Sequence, residues 1–105
     1  MSRLDSIEQM LADEPDDLFL RYALAMELRK AGRNEESLAA FITLMDDETP
    51  HVPAFFMAAQ LLVTANELSR AREFLVDGIR HAGTQGNQHA AAEMSELLAS
   101  LPDSG

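Results

Sequence analysis

Asp77 and His81 stand four residues apart, and so do His89 and Glu93, with the turn signal Gly83-Thr84-Gln85-Gly86 between the two pairs. On a helix, a spacing of four places both side chains on one face. If the turn folds two such helices antiparallel, two imidazoles and two carboxylates could meet, a donor set suited to zinc or another divalent cation. Each pair also has a plainer reading. His89 and Glu93 fit the solvated face of their helix, and His81 near a helix end beside Asp77 has an ordinary electrostatic explanation. Other chemistry is poorly provided for. The chain has no Cys, which removes disulfides, thiol catalysis and thiolate metal sites together. Ser and Thr are scattered without a positioned His and acid, and no glycine-rich loop follows a strand to cradle phosphate. The adjacent acids Glu35-Glu36 and Asp46-Asp47 would project about 100 degrees apart on a helix and do not converge as a general acid and base. Asp46-Asp47-Glu48 lacks the glycine and spaced ligands of a calcium loop and reads as a solvated turn. The sequence therefore predicts a protein that is not an enzyme and uses no cofactor.

The elements that must position these residues are helical. A chain of 105 residues, 47% hydrophobic with 6% aromatics and no Trp, suits one helical domain packed with Leu, Ala and Met, with no room for a second. Eight basic against 18 acidic residues give a net charge of −10. That balance repels nucleic acid and anionic membrane surfaces and favours neutral or basic partners. The start, Met1 to Asp5, carries no apolar run of signal-peptide type, and the apolar stretches are too short to span a bilayer. A soluble cytoplasmic protein is expected.

Along the chain, Leu4, Ile7, Met10 and Leu11 recur at helical steps over residues 2–12, with Ser2 and Asp5 at capping spacing. Asp16 and Asp17 can cap a second helix running from Leu18 to Ala31, with Leu20 or Arg21, Leu24, Ala25 and Leu28 inward. A third, Asn34 to about Met45, offers Leu38, Phe41, Leu44 and Met45 to the same core, and the acids of Asp46 to Glu48 should fray its end. Pro53 opens a fourth helix, whose Phe55, Ala58, Ala59 and Leu62 face inward up to Ala65. Residues 67–82 form a fifth, with Ala71, Phe74, Leu75, Gly78 and Ile79 inward. Gly83 to Gly86 break the chain before a sixth, Asn87 to Leu101, with Ala90, Met94, Leu97, Leu98 and Leu101 on one side. Pro102-Asp103-Ser104-Gly105 should be a frayed tail.

A repeat links the middle of this pattern. Ala31-Gly32-Arg33-Asn34 returns as Ala65-Asn66-Glu67-Leu68, and the helix stops Gly32 and Asn66, the two residue types that most easily turn left-handed, lie 34 residues apart. The same offset relates Arg21 to Phe55, Leu28 to Leu62, Ser37 to Ala71 and Phe41 to Leu75. A helix-turn-helix unit of this period resembles the tetratricopeptide repeat over residues 18–82. The resemblance implies an all-α fold: antiparallel helix-turn-helix repeats stacked as a short right-handed solenoid of about six helices. It also implies a division into an N-terminal capping helix (1–15), repeat one (16–50), repeat two (51–83), a C-terminal capping helix (84–101) and the tail. The first helix then looks like the second half of a repeat whose first half is missing. Arg21 departs from the pattern where an aromatic is usual, and Ser37 stands where Ala is preferred, while Gly78 meets the preference for a small residue at a close helix contact.

The resemblance further implies protein binding, because the first helix of each repeat lines a concave groove in this family. On this chain the groove residues would be Phe19, Tyr22, Met26 and Arg29 from repeat one, with Phe56, Met57, Gln60 and Val63 from repeat two. Lys and Asn, which clamp a terminal carboxylate in some members, are absent from these positions. An apolar surface of aromatics and Met suits a peptide or helix with apolar anchors, with Gln60 placed to bond a backbone. Two alternatives accompany this expectation: a homo-oligomer, such as a homodimer, that occupies its own groove, or coverage by a terminal helix. The metal reading of the last two helices is a third. Arg29, Lys30 and Arg33 form a compact basic cluster that either selects an acidic partner segment or supplies favourable charge at a helix end.

Overall fold

Side chains start three of the helices. In the structure, a computed structural model that describes residues 2–102, Ser2 Oγ accepts the Asp5 N–H at 3.1 Å and opens α1 (Arg3–Asp13). Asp17 Oδ1 accepts the Leu20 N–H at 2.9 Å and opens α2 (Leu18–Lys30). Pro53, in the first turn, pre-sets the backbone of α4 (Val52–Thr64). Asn87 Oδ1 accepts from the Ala90 N–H and opens α6 (Gln88–Ser100). Between these lie α3 (Asn34–Met45) and α5 (Leu68–Thr84), neither with a side-chain cap. The expected tail residues Asp103 to Gly105 lie outside the described residues.

Three helices end in one way. Gly32, Asn66 and Gly86 take φ of 79°, 61° and 72°. At each, the left-handed residue donates its N–H to the carbonyl three back, and the next residue donates to the carbonyl five back: Arg33 to Leu28, Glu67 to Leu62 and Asn87 to Ala82, at 2.8–2.9 Å. This closure satisfies carbonyls that a helix end would otherwise leave open and reverses the chain within a few residues. The expected break over residues 83–86 is correspondingly shorter. Gly83 and Thr84 remain helical, and only Gly86 does the turning.

Each helix packs on its neighbours in sequence, and α4 also touches α6. The result is elongated, 43 × 29 × 19 Å with a radius of gyration of 14.1 Å, against about 13 Å for a compact globule of this size. Two apolar clusters run through it. Ala25, Phe41, Leu44, Ala54, Ala58 and Leu61 join α2, α3 and α4; Val52, Phe55, Ala59, Leu75, Ala82 and Met94 join α4, α5 and α6. The many fully buried alanines let the backbones approach, and Gly78 lets them approach further. A Cβ on Gly78 would stand 2.6 Å from both Met94 Sδ and Phe55 Cβ.

Three details of the pattern have local causes. Met10 is 48% exposed, because Ile7 fills the α1 contact with Leu4 and Leu11 half-buried beside it. Leu20, not Arg21, is the buried residue of its turn. Arg21 instead reaches α3, where it donates to both Asp47 carboxylate oxygens at 3.1–3.4 Å and to the Thr43 carbonyl at 3.3 Å. Asp47 beside the negative helix end is thereby held by a cation rather than left in a solvated turn. Ser37 is fully buried, and its hydroxyl donates to the Ala25 carbonyl at 2.7 Å, which satisfies the polar group where Ala was expected.

Candidate functional site

Tyr22 is the centre of the α2 face. Its ring meets Phe41 edge-on at 5.8 Å and His51 at 4.9 Å, so the side chain is braced from α3 and from the start of α4. Burial pushes the phenol above its ordinary pKa, against the opposing charge of Arg29, and keeps it a neutral wall. His51 is the N-cap residue of α4, and burial holds its imidazole below its ordinary pKa against the pull of Asp47. Arg29 crosses to α4, with Nη1 3.7 Å from Met57 Sδ.

Of the eight groove residues expected from the sequence, Tyr22, Phe56 and Met57 line one cavity of about 220 Å³. Arg29 touches that wall through Met57. Met26 packs half-buried on the α2/α3/α4 core, and Gln60 and Val63 lie half-buried further along α4, outside the cavity. Phe19 also stands apart, 77% exposed one turn before Tyr22. The remaining wall was not anticipated: Val52 and Pro53 close one end, and Asn87, His89, Ala90 and Glu93 of α6 close the side. The last helix therefore neither covers the groove nor stands away from it. It supplies one bank, and the signals for it are the Gly86 turn, of the same kind as Gly32 and Asn66, and Ala90, which stands 34 residues after Phe56 as Phe56 stands 34 after Tyr22.

The four metal candidates are dispersed. His81 stacks on Phe55 at 5.3 Å, Asp77 pairs with Arg80 at 3.2 Å, and His89 pairs with Glu93 at 3.3 Å on α6. Antiparallel packing of α5 and α6 is present, yet among the described residues no group of three or more His, Asp or Glu could hold a metal ion. The basic cluster is likewise divided. Lys30 lies 3.7 Å from Glu27, which also holds Arg3 at 2.8 Å. Arg33 forms a two-point bond to Glu36 at 2.6 and 2.8 Å, which lowers the pKa of that carboxyl below the ordinary range. Among the described residues no helix is long and apolar enough to cross a membrane.

Comparison with known proteins agrees with this architecture. Residues 1–51 match a family described as tetratricopeptide repeat. A TPR repeat-containing protein of Pseudomonas aeruginosa is 24% identical over 98 residues, which cover 93% of each chain. The solution structure of a tetratricopeptide repeat domain protein from Salinibacter ruber superposes with a TM-score of 0.76 at 27% identity, covering 81% of this chain and 86% of that one. Together with six helices stacked in sequence and the 34-residue recurrence of two of their turns, these likenesses show an all-α fold of the tetratricopeptide-repeat type and support a protein similar to that family.

Proposed function

We propose that this protein is a non-catalytic scaffold or adaptor that takes a peptide or helix of a partner protein against the face formed by α2, α4 and α6. Tetratricopeptide-repeat domains generally mediate protein–protein interactions and are typically not enzymes. The observation that carries the reading here is the cavity itself: Tyr22, Phe56 and Met57, from two different repeats, share one apolar wall. Aromatic and Met side chains make such a wall adaptable, and burial of an apolar anchor drives binding. Phe19, Met26, Arg29, Gln60 and Val63 would extend the contact along the face. The net charge of −10 argues against nucleic acid and anionic membrane as partners, and the absence of Cys suits the reducing cytoplasm. The two repeats, 16–50 and 51–83, form the binding unit in this reading, flanked by helices that close the core.

The test is a titration of the isotopically labelled chain with peptides selected from a random display library. Amide shifts concentrated on α2, α4 and α6, and abolished by Phe56→Glu, support the proposal; shifts confined to α1 or the outer face of α5 refute it. A second reading, a homodimer that fills its own groove, is favoured by the 77% exposure of Phe19. Sedimentation velocity over a wide concentration range separates the two: a dimer dissolved by Phe19→Glu or Tyr22→Glu assigns the face to self-association.

A further inference from the structure

The cavity has a size and a charge that narrow its occupant. A space of about 150 Å³ is enough to hold benzene, so about 220 Å³ takes one large apolar side chain and little more. The floor and one bank are apolar, from Tyr22, Phe56 and Met57. The α6 bank ends in the Glu93 carboxylate, whose one partner among the described residues is His89, a side chain 87% exposed and charged only when protonated. A cation brought to that bank meets an acid whose partner is an exposed imidazole rather than a Lys or Arg, whereas an acidic segment meets both Glu93 and the overall charge of −10. Among the described residues, six of the eight Lys and Arg side chains already hold ion pairs within the fold; Arg29 lies on the opposite wall, with Nη1 against Met57 Sδ, and no salt bridge joins it to Glu93. On the groove reading above, we propose that the partner segment inserts one aromatic, Leu or Met side chain between Tyr22 and Ala90 and places a Lys or Arg against Glu93, which makes α6 the specificity-determining bank.

The probes are peptides selected from a random display library against the wild-type chain and, separately, against Glu93→Lys. Glu93 is half-exposed, so neither Glu93→Lys nor Glu93→Gln disturbs the core. Wild-type selection should enrich one large apolar residue with Lys or Arg within four positions. Glu93→Lys should weaken those peptides roughly tenfold at low salt and less at high salt, and should itself select Asp or Glu. Replacing the anchor by Ala should weaken binding by a factor of ten or more. Intermolecular NOEs should join the anchor to the Met57 and Ala90 methyl groups. The inference is overturned if basic residues are not enriched, if Glu93→Lys leaves selection and affinity unchanged, or if the NOEs place the anchor elsewhere on the face. In those cases loss of binding in Phe56→Glu still upholds the groove. Peptides indifferent to Phe56→Glu, or a library without binders, sink the groove and the inference together, and a homodimer with NOEs filling this cavity gives the site to a second copy.

Discussion

Gly78→Ala and Gly83→Ala make the same chemical change on the same helix, and the structure requires opposite signs for them. Replacing Gly by Ala in a helix is worth about 0.5–1 kcal/mol, largely because the unfolded chain loses freedom. At Gly83 nothing lies within 4 Å of the new Cβ, so that gain should appear as increased stability. At Gly78 the Cβ would lie 2.6 Å from Met94 Sδ and 2.6 Å from Phe55 Cβ. The Met sulfur can swing aside. The Phe55 Cβ cannot, because it is fixed to the α4 backbone, so α5 must back away from α4. Overpacking costs about 1–3 kcal/mol, and a clash with an immobile atom belongs at the upper end. Subtracting the helix gain leaves about 2 kcal/mol of destabilisation, or a fall of roughly 9 °C in Tm for a domain of this size. Urea and thermal unfolding of the two variants beside the wild type measure this directly. If Gly78→Ala proves as stable as Gly83→Ala, the close approach of α4, α5 and α6 is wrong, and with it the placement of the α6 bank.

Three further outcomes are expected. Gly32→Ala and Asn66→Ala should each lower stability by about 1–2 kcal/mol in urea unfolding, since both positions hold left-handed backbone, while Asn66→Gly should be neutral or stabilising. Ser37→Ala should cost about 0.5–1.5 kcal/mol through loss of the hydroxyl bond to Ala25; a gain would mean that the buried hydroxyl opposes the fold. His51 has a folded pKa below its ordinary value because burial outweighs the attraction of Asp47. Its contribution is therefore full above about pH 6.5, the unfolded value, and is lost as the pH falls from there towards the folded value. The Tm should drop over that interval, and His51→Phe, which keeps a ring against Tyr22, should flatten the drop; an unchanged pH profile in that variant would refute the assignment.

The helices and their order were legible because their signals are local. Ser2 and Asp17 cap the N–H three residues on, and Gly32 and Asn66 stop helices with a conformation that few other residues take easily. The inward stripe Phe55, Ala58, Ala59 and Leu62 needs only the 3.6-residue period to be recognised. The site was half legible. Tyr22, Phe56 and Met57 follow from the repeat, and Ala90 stands a further 34 residues after Phe56; but a last helix expected as a terminal cap gives no reason to carry the groove onto Ala90 and Glu93, and only the packing of α6 beside α4 brings them to the cavity.

By itself, then, the sequence determined the six helices, the turn residues, the faces that turn inward and the acidic surface, all properties of neighbouring residues or of composition. Tertiary structure alone decided what each polar group met. Arg21, standing where an aromatic is usual, became the partner of Asp47, His51 a support for Tyr22, and His81 a stacking partner of Phe55 rather than a metal ligand. The physical reason is range. Helix propensity and capping act within about four residues, whereas an ion pair, a ring contact or a cavity wall joins residues tens of positions apart, and which of them meet depends on the angle and depth at which the helices pack.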